Sequence, residues 1–141
     1  VVAAVVQGGV IGPATRRWGE GRVIIMGLCG LVVGFALMPV ASGMSLLLVA
    51  TALLAGGFGL CNPALNSLIS RRASSDSQGA VLGVAQSGAS LARILGPAFA
   101  GVVFSLLGRH APYIIGALLL LFALGIAWRT MQSSDVDAEK Q

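Results

Sequence analysis

The stretch SLARILGPAFAG, residues 90–101, places Arg93 in the middle of an apolar run, with Gly96 and Pro97 just after it. The nearest other formal charges are Asp76 and Arg109, more than ten residues away on either side. A soluble core rarely holds an unpaired arginine, and a bilayer holds one only where it faces a bundle interior or a wet cavity. The reading of this stretch depends on what solvent surrounds the chain.

Composition answers that. Hydrophobic residues make up 56% of the chain and charged residues 10%, with a mean hydropathy of +0.90. Soluble domains carry about 25% charged residues. A chain this poor in charge cannot cover a water-facing surface, so its solvent is lipid. The 20 glycines suit closely packed membrane helices.

The formal charge of +4 sits in short clusters between apolar runs, with almost no aromatic residues among them. That is not the pattern of a nucleic-acid surface. Cys29 and Cys61 lie inside apolar segments and read as small buried hydrophobes, without disulfide or metal-ligand spacing. An intramembrane enzyme has almost no support either. The single histidine, His110, is at a loop edge, no carboxylate lies within an apolar run, and the serines lack a base.

A membrane helix needs about 20 mostly apolar residues. Four stretches meet this: 23–41, 44–70 with Pro63 inside, 79–107 with Arg93 and Pro97 inside, and 111–128. Residues 1–14 are shorter and have no basic region before them, so they read as the end of a helix that begins earlier. The sequence is therefore expected to be one part of a larger protein. Residues 129–141 are polar and acidic and are expected to form a disordered tail. The fold class is an all-α membrane protein. Barrel strands would be shorter and would alternate polar with apolar.

Orientation follows from the basic residues. Arg16, Arg17, Arg22, Arg71, Arg72, Arg129 and Lys140 fall in the first loop, the third loop and the tail, which share one side. The other side has only Arg109. The first loop, third loop and tail are thus expected in the cytoplasm. All five acidic residues (Glu20, Asp76, Asp135, Asp137 and Glu139) lie in those same segments, so none falls inside the membrane.

Three stretches carry more than hydropathy. GPATRRWGEGR, residues 12–22, is a tight turn between helices. Its arginines can bind helix-end carbonyls, lipid phosphates or an acidic partner, or serve only as a topology signal. In GGFGLCNPALNSLIS, residues 56–70, Pro63 removes the helical partner of the Gly59 carbonyl and predicts a kink. Asn62 and Asn66 are four apart and share a face. Their amides need partners in lipid, either as interhelical glue or as contacts to a solute. In the opening stretch, Gly88, Ala92, Gly96 and Ala100 form a small-residue stripe that permits close helix contact. Pro97 strips the hydrogen bond from the carbonyl of Arg93 itself.

Arg93 lies 15 residues after Gln78, or about 22 Å along a helix. From there its side chain would struggle to reach the headgroups. Burying it costs at least about 2.5–3.5 kcal/mol, so the fold is expected to supply water, an anion or backbone carbonyls. Arg93 therefore reads either as a cap on a broken neighbouring helix or as a charge in a cavity or at a half-interface. Asn62, Asn66 and Gln86 join it as candidate cavity residues.

These motifs resemble the major facilitator superfamily. Gly12, Arg17, Gly19 and Arg22 match the family's cytoplasmic loop motif, and Arg16 stands where its stricter copy has Asp, as in the looser second-half repeat. Gly96, Pro97 and Gly101 look like the second-half counterpart of the drug:proton antiporter motif, with Ala92 and Ala100 in place of glycines. The resemblance implies the C-terminal part of a twelve-helix fold, from the end of helix eight (1–14) through helix twelve (111–128), with bundle 1–128 and cytoplasmic tail 129–141. It implies alternating access around a midplane site, with helix ten (44–70) lining the cavity, helix eleven (79–107) at the junction of the halves, and helices nine and twelve toward lipid. The implied function is efflux of a small drug-like or amphipathic solute by proton antiport, without cofactor or metal. The implied partners are the N-terminal half, the bilayer and the solute, not nucleic acid. The implied location is the plasma membrane, the inner one in a bacterium. Packing roles fall to Pro63, Gly88, Gly96, Pro97 and Gly101. The alternative reading is a small oligomeric membrane protein, a channel or structural partner without a transport cycle.

Overall fold

The computed structural model describes residue 15, residues 17–74 and residues 76–139, with side chains through residue 132. The expected partial helix over 1–14, with Gly12, and Arg16 lie outside these residues. Among the described residues there are four long helices and no strand. These are α1 (Glu20–Leu37), α2 (Met44–Arg72), α3 (Gln78–Leu107) and α4 (Ala111–Glu139). All four are long and apolar enough to cross a membrane.

The breaks have local causes. Gly19 precedes α1 with φ of 80°, a left-handed conformation that costs glycine little. Pro39 lies in a 3-10 turn (Met38–Val40) that ends α1, where its ring cannot continue the α-helical bonding. Gly108, with φ of 85°, caps α3, its N–H bonded to the carbonyl of Phe104 at 3.0 Å. Pro112 then falls in the first turn of α4, where its missing N–H costs nothing.

The last helix differs from expectation. α4 continues past Trp128 to Glu139, so the segment expected to be a disordered tail is helical through that residue. Residues 129–139 contain neither glycine nor proline, and nothing in them stops a helix already propagating.

α1 is the central element, packed against α2 on one side and α4 on the other. A small core of Val23, Ile24 and Ala64, with Leu28, Leu60 and Leu68 around it, joins α1 to α2. Further along, Gly27, Gly34 and Gly57 let the two backbones approach, and a Cβ at any of them would fall within 3.0 Å of the opposite helix. α4 lies antiparallel to α1, with Met131 over Gly21 at one end and Phe35 over Gly116 toward the other. The rings of Phe35 and Tyr113 are 6.4 Å apart between centroids, tilted by 50°. α3 is the outlier. Among its residues only Val103 is buried.

Cys61 is buried and its thiol donates to the Ile24 carbonyl at 3.5 Å. Cys29 is exposed, contrary to the expectation for both cysteines. It lies on the side of α1 toward α4, where the seam is open.

Candidate functional site

α2 and α3 run antiparallel, and their contact near one end is polar. The amide nitrogen of Gln78 donates to the Ser70 hydroxyl, and to the Ser70 carbonyl at 3.3 Å. Eight residues along α3, Gln86 Nε2 donates to Asn66 Oδ1 at 3.4 Å. Asn66 Nδ2 in turn donates to Asn62 Oδ1 at 3.3 Å. The i, i+4 spacing on α2 puts both asparagines on the face that meets α3. Three of the four expected cavity residues thus form one ladder across two helices. Both bonds are longer than the usual 2.9–3.0 Å, so the amides are held loosely.

Arg93 is the fourth. It lies seven residues beyond Gln86, two turns along the same face of α3 and about 10 Å further from the ladder's end. Its side chain is exposed, and no hydrogen bond or ion pair joins it to a described residue. The ladder offers amide donors and acceptors, and Arg93 offers one guanidinium further along the same face of α3. That set can bind and orient a polar or anionic group.

The arginines gather at one end of the bundle. Arg17, Arg22, Arg71 and Arg72 lie at the ends of α1 and α2 that come together there, and Arg129 lies at the same level of α4, where Met131 packs over Gly21. Arg109 lies at the other end, where its Nε donates to His110 Nε2 at 2.9 Å. At the arginine-rich end, Glu20 joins α1 to α2. It accepts the Ser67 hydroxyl at 2.8 Å and the Nε–H of Arg71 at 2.9 Å. In the sequence Glu20 stands out only as one of five acids on this side. The signal was available in part: Ser67 and Arg71 are four apart on one face of α2, and Glu20 opens α1, where the helix dipole favours an anion.

Pro63 and Pro97 both lie inside continuous helices. A Cβ added at Gly88, Gly96 or Gly101 would meet nothing within 4 Å. The glycines of α3 are therefore bare toward the described residues, and the tight glycine contacts are those of α1 with α2 and with α4.

A family model for the Major Facilitator Superfamily matches residues 1–140. The chain is 34% identical to tetracycline resistance protein class G of Vibrio anguillarum over 135 residues, covering 93% of this chain and 34% of that protein. It is 32% identical to tetracycline resistance protein class C of Escherichia coli over 128 residues, 88% of this chain and 32% of that protein. It is 32% identical to multidrug resistance protein 2 of Bacillus subtilis (strain 168) over 127 residues, 89% of this chain and 31% of that protein. The chain thus spans about a third of the length of these curated relatives. No solved structure matches it.

Proposed function

The chain belongs to the Major Facilitator Superfamily, and from that membership we propose that it is the C-terminal part of a secondary transporter exporting small amphipathic solutes by proton antiport. In this reading α1 to α4 are helices nine to twelve of a twelve-helix protein, and the arginine-rich end faces the cytoplasm. The two halves rock about a site near the bilayer midplane. The relatives named for resistance to tetracycline and to several drugs support a drug-like solute. No acid lies mid-membrane among the described residues, so the proton-carrying carboxylate belongs to another part of the transporter.

The observation that carries the proposal is the face of α3 that bears Gln86 and Arg93. It is bonded to α2 through the amide ladder, and beyond that it offers an exposed arginine in mid-helix. An arginine at that depth requires water or a counter-charge. A solute pathway closed by the N-terminal half supplies one or both. The bare stripe of Gly88 and Gly96 beside it suits close contact with that half.

The test is accumulation of tetracycline and of a cationic dye in cells that express the full-length protein. Expression is expected to lower accumulation, and collapsing the proton gradient to restore it. Arg93→Ala is expected to cut efflux roughly tenfold, the effect of about 1.4 kcal/mol, at unchanged membrane abundance. Arg93→Lys separates charge from the fork geometry of the guanidinium. Efflux unaltered in Arg93→Ala would remove the arginine from the pathway, and no efflux of either probe would remove the drug-export reading.

A further inference from the structure

Two cavities run end to end along the seam between α1 and α4. The first, about 500 Å³, lies at the arginine-rich end, between Trp18, Arg22 and Met26 on one side and Trp128 and Gln132 on the other. The second, about 450 Å³, continues toward mid-membrane between Cys29 and the α4 residues Leu121, Leu124 and Gly125. Ile25 and Trp128 line both, so the two form one furrow. Arg22, Ile25 and Cys29 follow it along one face of α1 at helical spacing. From Gln132 to Leu121 it extends about 16 Å along α4, which is the depth of one leaflet of a hydrocarbon core about 30 Å thick.

The chemistry changes along that length. The outer end has a guanidinium between two indoles. Arg129 joins it beside Trp128, and beyond that the inner end, around Cys29, Leu121 and Gly125, is apolar. Arg22 is exposed and pairs with no acid among the described residues. The nearby Glu20 is already held by Ser67 and Arg71 on the α2 side. Tryptophans favour the membrane–water interface, with the ring in apolar surroundings and the N–H toward polar groups. Arginine binds phosphate through two parallel N–H donors.

We propose that this furrow seats one anionic phospholipid, its phosphate on Arg22 between Trp18 and Trp128 and one acyl chain running past Ile25 to Cys29 and Leu121. The positive charge gathered at this end selects a net anionic headgroup over a zwitterionic one. A protein helix in the furrow would have to bring an acid to Arg22, whereas a lipid brings its phosphate and its apolar tail together. The inference rests on the chain being a membrane helix bundle and is independent of the transport reading.

The test is native mass spectrometry of the full-length protein, purified in detergent and titrated with phosphatidylglycerol or phosphatidylcholine of equal chain length. One phosphatidylglycerol is expected to be retained preferentially. Arg22→Gln is expected to weaken its retention about fivefold, the scale of one arginine at an anionic surface, and Arg22→Lys to recover part of it. Gly125→Trp is an independent test, because nothing lies within 4 Å of a Cβ there and the indole would fill the path of the chain. It too is expected to lose the lipid, with the protein still monodisperse on size exclusion. Equal retention of both lipids would overturn the proposal, as would phosphatidylglycerol binding unchanged in Arg22→Gln and Gly125→Trp. A photo-crosslinking residue at position 125 gives the last outcome. A lipid adduct supports the proposal, and an adduct to another segment of the protein overturns it.

Discussion

Gly27 of α1 and Gly57 of α2 meet backbone to backbone: a Cβ on Gly57 would lie 2.6 Å from the Gly27 carbonyl oxygen, and one on Gly27 2.9 Å from the Gly57 carbonyl oxygen. The opposing atoms are main chain and cannot swing aside, so the whole helix pair would have to separate. Association of helices in lipid depends on such packing, because lipid tails are as apolar as the side chains. Gly57→Ala is expected to cost about 1–3 kcal/mol, the usual scale of overpacking, and to lower the temperature at which the full-length protein aggregates. Gly56→Ala, one position away with nothing within 4 Å, is expected to leave it unchanged or raise it slightly through helix propensity. Size-exclusion chromatography after heating compares them. Equal stability of the two variants would rule out the close contact.

The tie between Glu20 and Arg71 is expected to contribute little on its own. Arg71 is 75% exposed and Glu20 16%, so water and salt screen the pair. In a double-mutant cycle of Glu20→Gln and Arg71→Gln the coupling is expected to stay below about 1 kcal/mol and to shrink in high salt. Ser67→Ala leaves Glu20 with Arg71 alone and should strengthen the salt dependence. A large coupling that salt does not touch would mean that the pair is sealed from water by parts of the protein beyond these helices.

The four long helices were legible because an apolar run of about 20 residues has one main solution in lipid. Their observed ends fall within a few residues of those runs, apart from the last. There the polar residues after Trp128 read as a tail, although hydropathy reports the end of the membrane and not the end of the helix. Pairing of faces was much less legible. Gly27, Gly34 and Gly57 look no different in sequence from Gly88 and Gly96, yet the first three are packed tightly and the other two are open among the described residues. The common face of Asn62 and Asn66 followed from their spacing, but its meeting with Gln86 depended on the register of α2 against α3. Glu20 found Ser67 47 residues away, a separation at which no local pattern operates.

Sidedness is tested by labelling. Ser42 and Ser74 are both exposed and lie at opposite ends of the bundle. With the native cysteines replaced, Ser42→Cys is expected to react with a membrane-impermeant maleimide added to intact cells. Ser74→Cys is expected to react only after the cells are opened, as the positive-inside rule requires of the end that holds Arg71 and Arg72. The reverse pattern would invert the proposed orientation and with it the leaflet that the α1–α4 furrow faces.

The amide ladder separates glue from pathway. Asn66 holds both of its bonds, one to Asn62 and one to Gln86. Interhelical hydrogen bonds in membranes contribute on average about 0.6 kcal/mol each; only the bond from Gln86 crosses between helices, and both bonds are long, so Asn66→Leu is expected to cost no more than about 1 kcal/mol in stability. Its effect on transport is expected to be larger. Asn66→Leu replaces the amide at the centre of the ladder with apolar surface and removes the bonds to Asn62 on α2 and to Gln86 on the α3 face that also carries Arg93. Solute efflux in Asn66→Leu should therefore fall further than the stability loss explains, with the Michaelis constant for tetracycline rising in Asn62→Ala at near-normal stability. Efflux that tracks thermal stability across Asn62→Ala, Asn66→Leu and Gln86→Ala would assign the ladder to helix packing alone and leave Arg93 as the one polar group of the proposed pathway among the described residues of α2 and α3.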